Sequence, residues 1–212
     1  MAGCELDHLV VTAPSLAAGA RYVQDKLGVA LQAGGEHPRM GTHNLLLRLN
    51  DSSYLEVIAP NPDAPKPSRP RWFDLDDLTP ESEPRLATWV ARTTDIEGTA
   101  ARSPVDLGSI ETMTRGDLEW RITIRADGRM PQEGVAPSLI EWRIGTHPAQ
   151  RLQPSGCSLV RLKAMYPEPR QISDLLESIG FEGPVTISPL GLDEFPQLIA
   201  EIETPAGVRE LT

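Results

Sequence analysis

With 212 residues and 40% hydrophobic side chains, the chain is long enough for a substantial core and falls between one and two average domains. Thirty Asp and Glu against 20 Lys and Arg leave a net charge of -10, which repels a phosphate backbone and argues against nucleic acid as a partner. Apolar runs such as Leu45–Leu47 fall far short of the roughly 20 residues that a membrane span needs, and no charged-then-apolar leader precedes Cys4.

A cytoplasmic protein is the expectation, with Cys4 and Cys157 as buried reduced thiols. Residues 6–12 (L-D-H-L-V-V-T) are β-branched and apolar and end at an Ala13-Pro14 turn, so they predict a strand. Ser15 stands where an N-cap belongs. Leu16, Ala20, Val23 and Leu27 then recur at helical spacing until Gly28 supplies a stop. A weak strand near residues 29–33, a Gly34-Gly35 loop and strands over 43–49 and 53–58 complete a βαβββ unit. Residues 59–70 hold prolines too densely for helix or central strand and read as a linker. Beyond it, strands over 86–92, 118–125 and 139–144, with Asp95 capping a short helix, repeat the order. A third, partial copy follows Pro154. It comprises a strand over 158–164, a helix from Pro169 carrying Ile172, Leu175, Leu176 and Ile179 to a stop at Gly180, and strands over 197–202 and 208–211.

The expected organisation is therefore a first module over 1–60, a linker over 61–85, a second module over 86–150 and a third over 151–212, together one compact unit. The fold class is α+β. An ordinary α+β sandwich whose segments merely look alike is the alternative.

Alternation along the strands separates core from pocket. If the helix covers Leu9 and Val11, His8 points to the other face, and Glu56 in the fourth strand falls on the same side as His8. In the third strand Leu45, Leu47 and Leu49 form the apolar face, which leaves Asn44 and Arg48 toward the pocket. His43 belongs to the apolar face unless the strand starts only at Leu45. An imidazole and a carboxylate converging in this way make half of a site for zinc, iron or manganese, or a plain hydrogen-bonded pair. An Arg48–Glu56 bridge would compete with a cation. In the second module Glu141, within Leu139-Ile140-Glu141-Trp142, takes the place of Glu56, while Thr88 stands where His8 stands in the first. Arg121 and Arg143 fall near the same interior face, where they bind an anionic substrate or pair with Glu141 and Asp117.

The modular order, His8 in L-D-H-L-V and Glu56 in Y-L-E-V-I resemble the vicinal-oxygen-chelate superfamily. Within it, G-G-E-H-P-R-M-G-T-H-N over residues 34–44 looks like the signature of the glyoxalase-like domain family. The resemblance implies paired modules curled into an incomplete mixed β-barrel with helices outside, around a divalent metal that chelates a substrate's vicinal oxygens. Carried over position by position, it makes His8, Glu56 and Glu141 metal ligands, with His37 or His43 as replacements for the ligand missing at Thr88. Glu56 and Glu141 are the expected proton-moving residues, and Asn44, Arg48, His37, Arg121 and Arg143, read from their places in the strands and in the 34–44 stretch, are the expected substrate contacts. The function so implied is a small-molecule enzyme of isomerase, lyase or oxygenase type, acting on an oxygen-rich, anionic substrate. Two alternatives stand beside it: a metal-free binding or sequestering protein, and modules that pair between chains as a homodimer.

Overall fold

A computed structural model describes residues 3–191 and 194–212. The first module runs β1 (Cys4–Thr12), α1 (Leu16–Leu27), β2 (Gln32–His37), β3 (Thr42–Arg48) and β4 (Tyr54–Pro60). Helix α1 starts where the Ser15 hydroxyl accepts from the Ala18 N–H at 3.2 Å and stops at Gly28, whose φ of 71° is left-handed. Its buried stripe of Gly19, Val23 and Leu27 lies on β4, where a Cβ at Gly19 would come within 2.3 Å of Val57. The Gly34-Gly35 pair is not a loop as expected. It forms a bulge inside β2, seen as a register shift against β3 between Ala33 and Glu36.

The second module runs β5 (Arg85–Thr93), α2 (Ile96–Arg102), β6 (Ser109–Arg115), β7 (Leu118–Ile124) and β8 (Ser138–Ile144). Asp95 caps α2 by accepting from the Gly98 N–H at 3.0 Å. Strand β6, mostly polar and exposed on one face, is an element that the sequence reading lacks. The two modules join along antiparallel β1 and β5, giving the order β2-β3-β4-β1-β5-β8-β7-β6, with β1 parallel to β4 and β5 parallel to β8. Each half has the same internal order, so the expected pair of βαβββ modules is the observed architecture. The sheet curls until its outer strands approach, and Arg39 reaches across that seam to the Thr112 carbonyl at 2.9 Å and to Glu111.

After a short helix α3 (Pro148–Arg151), the third segment comprises β9 (Ser158–Tyr166), α4 (Pro169–Ser178), β10 (Phe181–Glu182), β11 (Val185–Pro189), β12 (Gln197–Thr204) and β13 (Gly207–Leu211). Its sheet has the order β11-β9-β12-β13, in which the strand after the helix lies beside the first strand. This connectivity differs from that of the first two modules. The segment covers the convex side of the large sheet. Leu162, Ala164, Leu198, Ala200 and Ile202 share one apolar cluster with Leu9, Val11 and Trp89, and the short β10 pairs with β1. A second cluster fills the concave side, with Val10, Ile58, Trp120, Ile122 and Ile140 at its centre.

The proline-rich segment between β4 and β5 is more than a tether. It crosses the concave side and inserts Trp72, Phe73 and Leu75 into that second cluster. Phe73 and Asp74 hold left-handed φ values of 58° and 55° there, a conformation that costs a non-glycine residue about 1 kcal/mol or more. The surrounding contacts impose it: Asp74 N–H donates to the Gly128 carbonyl at 3.2 Å, and a Cβ at Gly128 would lie 2.1 Å from the Arg71 carbonyl oxygen.

Candidate functional site

Among the described residues, the concave side holds a cluster of buried polar side chains around a small cavity. His8 on β1, Asn44 on β3 and Tyr54 and Glu56 on β4 line it from the first module, with His37 at the end of β2. Trp120, Ile122, Ile140 and Trp142 face them from the second module, and Arg115 enters from the end of β6. Trp72 and Phe73 close the top, leaving a cavity of about 30 Å³, the room of a single water.

His8 Nε2 lies 3.6 Å from Glu56 Oε2, and both side chains are buried. On its other side, His8 Nδ1 lies 2.6 Å from Asp7 Oδ1. The Tyr54 ring stacks on the imidazole with centroids 4.6 Å apart, and the burial that sets this contact pushes the Tyr54 phenol above its usual range. The other carboxylate oxygen of Glu56 accepts from the Asn44 amide. Asn44 is in turn fixed by the glycine bulge: its Oδ1 accepts from Gly35 N–H at 2.7 Å, and a Cβ on Gly34 would lie 2.0 Å from that oxygen. Only a residue without a side chain leaves room for this contact.

His37 is held between Thr42 Oγ1 at 3.1 Å on Nδ1 and the Arg115 guanidinium at 3.2 Å on Nε2. Burial, joined by the charge of Arg115, pushes its imidazole down to about 3, so it is neutral near pH 7. A guanidinium only donates, so His37 accepts on Nε2 and carries its proton on Nδ1 toward Thr42. Arg115 also approaches Asn44 Oδ1 at 3.4 Å and lies 6.0 Å from the Trp120 ring centroid. Among the described residues it forms no ion pair, which leaves a positive charge facing the cavity without a carboxylate of its own.

The structure brings together His8, His37, Asn44 and Glu56. The remaining candidates lie elsewhere. His43 points to the opposite face, beside Ser15, Asn61 and Arg71, as its parity in β3 dictates. Arg48 is on the His8 face but at the end of its strand, where it pairs with Asp51 and donates to the Leu152 carbonyl at 3.0 Å, away from Glu56. Glu141 projects from the side of β8 that faces α2. There Arg121 and Arg143 pair with it, and Arg121 also grips Glu97. Its neighbours Ile140 and Trp142 take the pocket-facing positions. Asp117, the other expected arginine partner, pairs with Arg151. Thr88 pairs in register with Val10, and its buried hydroxyl has no hydrogen-bond partner among the described residues.

Sequence reasoning missed Asp7, Arg115 and His147. Arg115 was legible in principle, because Met113 and Arg115 share one face of β6 and Met113 is buried in the concave cluster. Asp7 was not, since strict alternation sends it to the opposite face from His8. A bulge between Leu6 and His8 against β5 turns it inward.

The sequence matches the family described as glyoxalase-like domain over residues 6–180. The chain belongs to that family. This glyoxalase-like protein shares its fold with a hypothetical protein from Staphylococcus aureus, at 13% identity and a TM-score of 0.63, over 95% of this chain and 91% of that one. More distant similarities are to methylmalonyl-CoA epimerase from Streptomyces coelicolor (17% identity, TM-score 0.43, 64% of this chain and 95% of that one). The epimerase from Mycobacterium tuberculosis stands at 14% identity and a TM-score of 0.43, over 65% of this chain and 85% of that one. No curated protein matches the sequence. At these identities the likeness is one of fold.

The four-ligand metal set that the family resemblance implies is not assembled. A catalytic site of zinc type uses three protein donors and one open position, and among the described residues no group of three or more His, Cys, Asp or Glu is disposed to hold an ion. Glu141 is on the far face, Thr88 replaces a histidine, and His37 Nε2 is occupied by Arg115. His8 Nε2 and Glu56 Oε2 are two donors, one short of such a site. Among the described residues, no helix is long and apolar enough to cross a membrane.

Proposed function

We propose that this glyoxalase-like protein is a small-molecule enzyme that takes a proton from an oxygen-rich, anionic substrate and returns it. The carrying observation is that His8 Nε2 and Glu56 Oε2 face each other at 3.6 Å inside a buried cavity, with the guanidinium of Arg115 at its edge. A C–H beside a carbonyl, brought to lie against both atoms from the cavity side, can lose its proton to one of them and regain a proton from either. Asn44 keeps Glu56 aimed by holding its second oxygen. Arg115 supplies a fixed positive charge for a carboxylate, or for the enolate oxygen that forms when the proton leaves. Apolar walls exclude water, so these charges act in a medium of low dielectric.

The residues do not fit a resident metal, and none of these steps passes through one. Binding requires movement, because a cavity of about 30 Å³ admits no organic molecule until Trp72 and Phe73 lift away. The strained left-handed pair at Phe73 and Asp74 marks where that segment would turn.

The test uses a panel of 2-hydroxy- and 2-oxocarboxylates in D₂O. Tryptophan fluorescence reports binding and proton NMR reports exchange at the carbon beside the carboxyl or carbonyl. The expected result is exchange for at least one binder, lost in His8→Gln. Binders without any exchange would show that the pocket sequesters instead of transforming.

A further inference from the structure

We infer that Asp7 is a positioning residue for His8: its carboxylate holds a proton on Nδ1, so that Nε2, on the Glu56 side, is the nitrogen left to exchange protons. Asp7 has no solvent exposure, and it touches neither the cavity nor Glu56. Oδ1 lies 2.6 Å from His8 Nδ1. Oδ2 gathers three donors: Trp142 Nε1 at 2.9 Å, His147 Nε2 at 3.0 Å and the Arg92 guanidinium at 3.5 Å. These come from β8, from the turn after it and from β5, so the second module holds a carboxylate that acts on a histidine of the first.

Burial on its own would raise the Asp7 carboxyl, but the hydrogen bonds from His147 and His8 outweigh it and hold the group well below the ordinary carboxylate value. It is an anion at neutral pH, with nothing to donate. The nitrogen facing it must then be the protonated one. For His8 that nitrogen is Nδ1. For His147 it is Nε2, because Nδ1 there accepts from the Ala149 N–H at 3.3 Å and Asp7 Oδ2, at 3.0 Å, lies nearer to Nε2 than the Arg92 guanidinium at 3.4 Å. Two imidazoles of opposite tautomer thus converge on one carboxylate. A carboxylate present only to join the modules would not need His8 in one tautomer, and the bulge at Asp7 would be unexplained. The bulge is what turns Asp7 to the same side as its neighbour.

This inference rests on the proposed proton-transfer role of His8, yet its first readout is independent of any substrate. In the full chain labelled with ¹⁵N-histidine, with chelator present and near neutral pH, two-bond ¹H–¹⁵N spectra give the tautomer of each ring. Histidine-to-glutamine variants assign the signals of the 4 histidines. The expected pattern is the proton on Nδ1 in His8 and on Nε2 in His147, with Asp7→Asn shifting His8 toward the Nε2-protonated form. For a substrate found to exchange, the same variant should lower turnover about 10²- to 10⁴-fold, the range for losing an acid–base group whose tautomer a carboxylate sets, with little change in KM. A wild-type His8 protonated on Nε2 and bare on Nδ1 would overturn the inference, and so would an unchanged His8 tautomer in Asp7→Asn. If that variant does not fold, the wild-type spectrum alone decides. The expected tautomer pattern without any substrate exchange would instead leave the positioning in place and remove the proposed activity.

Discussion

The two modules share one strand order and one helix position, yet their concave walls differ in kind. The first presents His8, Asn44 and Glu56, each buried and each paired within the pocket. The second presents Trp120, Ile122, Ile140 and Trp142, and contributes charge to the cavity only through Arg115. Its own carboxylate and arginines, Glu141, Arg121 and Arg143, sit on the outer face beside α2. In the proposed reaction two walls of like topology divide the labour: the first holds the groups that move protons, and the second supplies apolar surface and a fixed positive charge. A doubled fold need not place its chemistry symmetrically, because a one-residue difference in facing sends a carboxylate to the opposite side of a sheet.

Substitutions can break this comparison at several strengths. The largest effect is expected at the apolar wall. Trp120 is 4% exposed, so Trp120→Ala should cost about 3–5 kcal/mol in urea denaturation. A loss below about 1 kcal/mol would mean that the wall is not packed as described. Next is the pH response of His37. Its unfolded form protonates near the ordinary value of 6.5, whereas the folded form does so near 3. The unfolded state therefore binds more protons between these values, and stability falls as pH drops through that window. At pH 5 this amounts to about 2 kcal/mol, from one and a half pH units at 1.36 kcal/mol each. Wild type should lose about that much more than His37→Gln between pH 7.5 and pH 5, and parallel losses would show that His37 titrates normally. The smallest effect is expected on the outer face. Arg121→Ala removes a partly exposed pairing with Glu97 and Glu141, so it should cost at most about 1 kcal/mol. It should leave ligand affinity unchanged, and a tenfold loss of affinity would place Arg121 at the pocket.

Much of the first wall was legible in the sequence because β1, β3 and β4 each have one apolar face toward α1 and the third segment. Alternation then assigns the opposite face, which is where His8, Asn44 and Glu56 lie. The same rule gave Arg48 its face but not its reach, since a long side chain at a strand end finds the nearest partner, here Asp51. In the second module the signal weakens because β8 is apolar on both sides: Leu139 enters one cluster and Ile140 the other. Likeness of L-I-E-W to Y-L-E-V then placed Glu141 one position out of phase. Asp7 was hidden by a bulge, a local event that periodicity cannot show. The proline-rich segment was recognisable as irregular, but its role as the roof of the pocket depends on Trp72 and Phe73 packing against residues distant in sequence.

The division between the walls is tested most directly by comparing Glu56→Gln with Glu141→Gln side by side, for a carboxylate that wild type exchanges with D₂O. The expected result is exchange reduced at least about 100-fold in Glu56→Gln, the scale of losing a general base, and within about twofold of wild type in Glu141→Gln. Full exchange by Glu56→Gln, or its loss in Glu141→Gln, would contradict the assignment of the chemistry to the first wall.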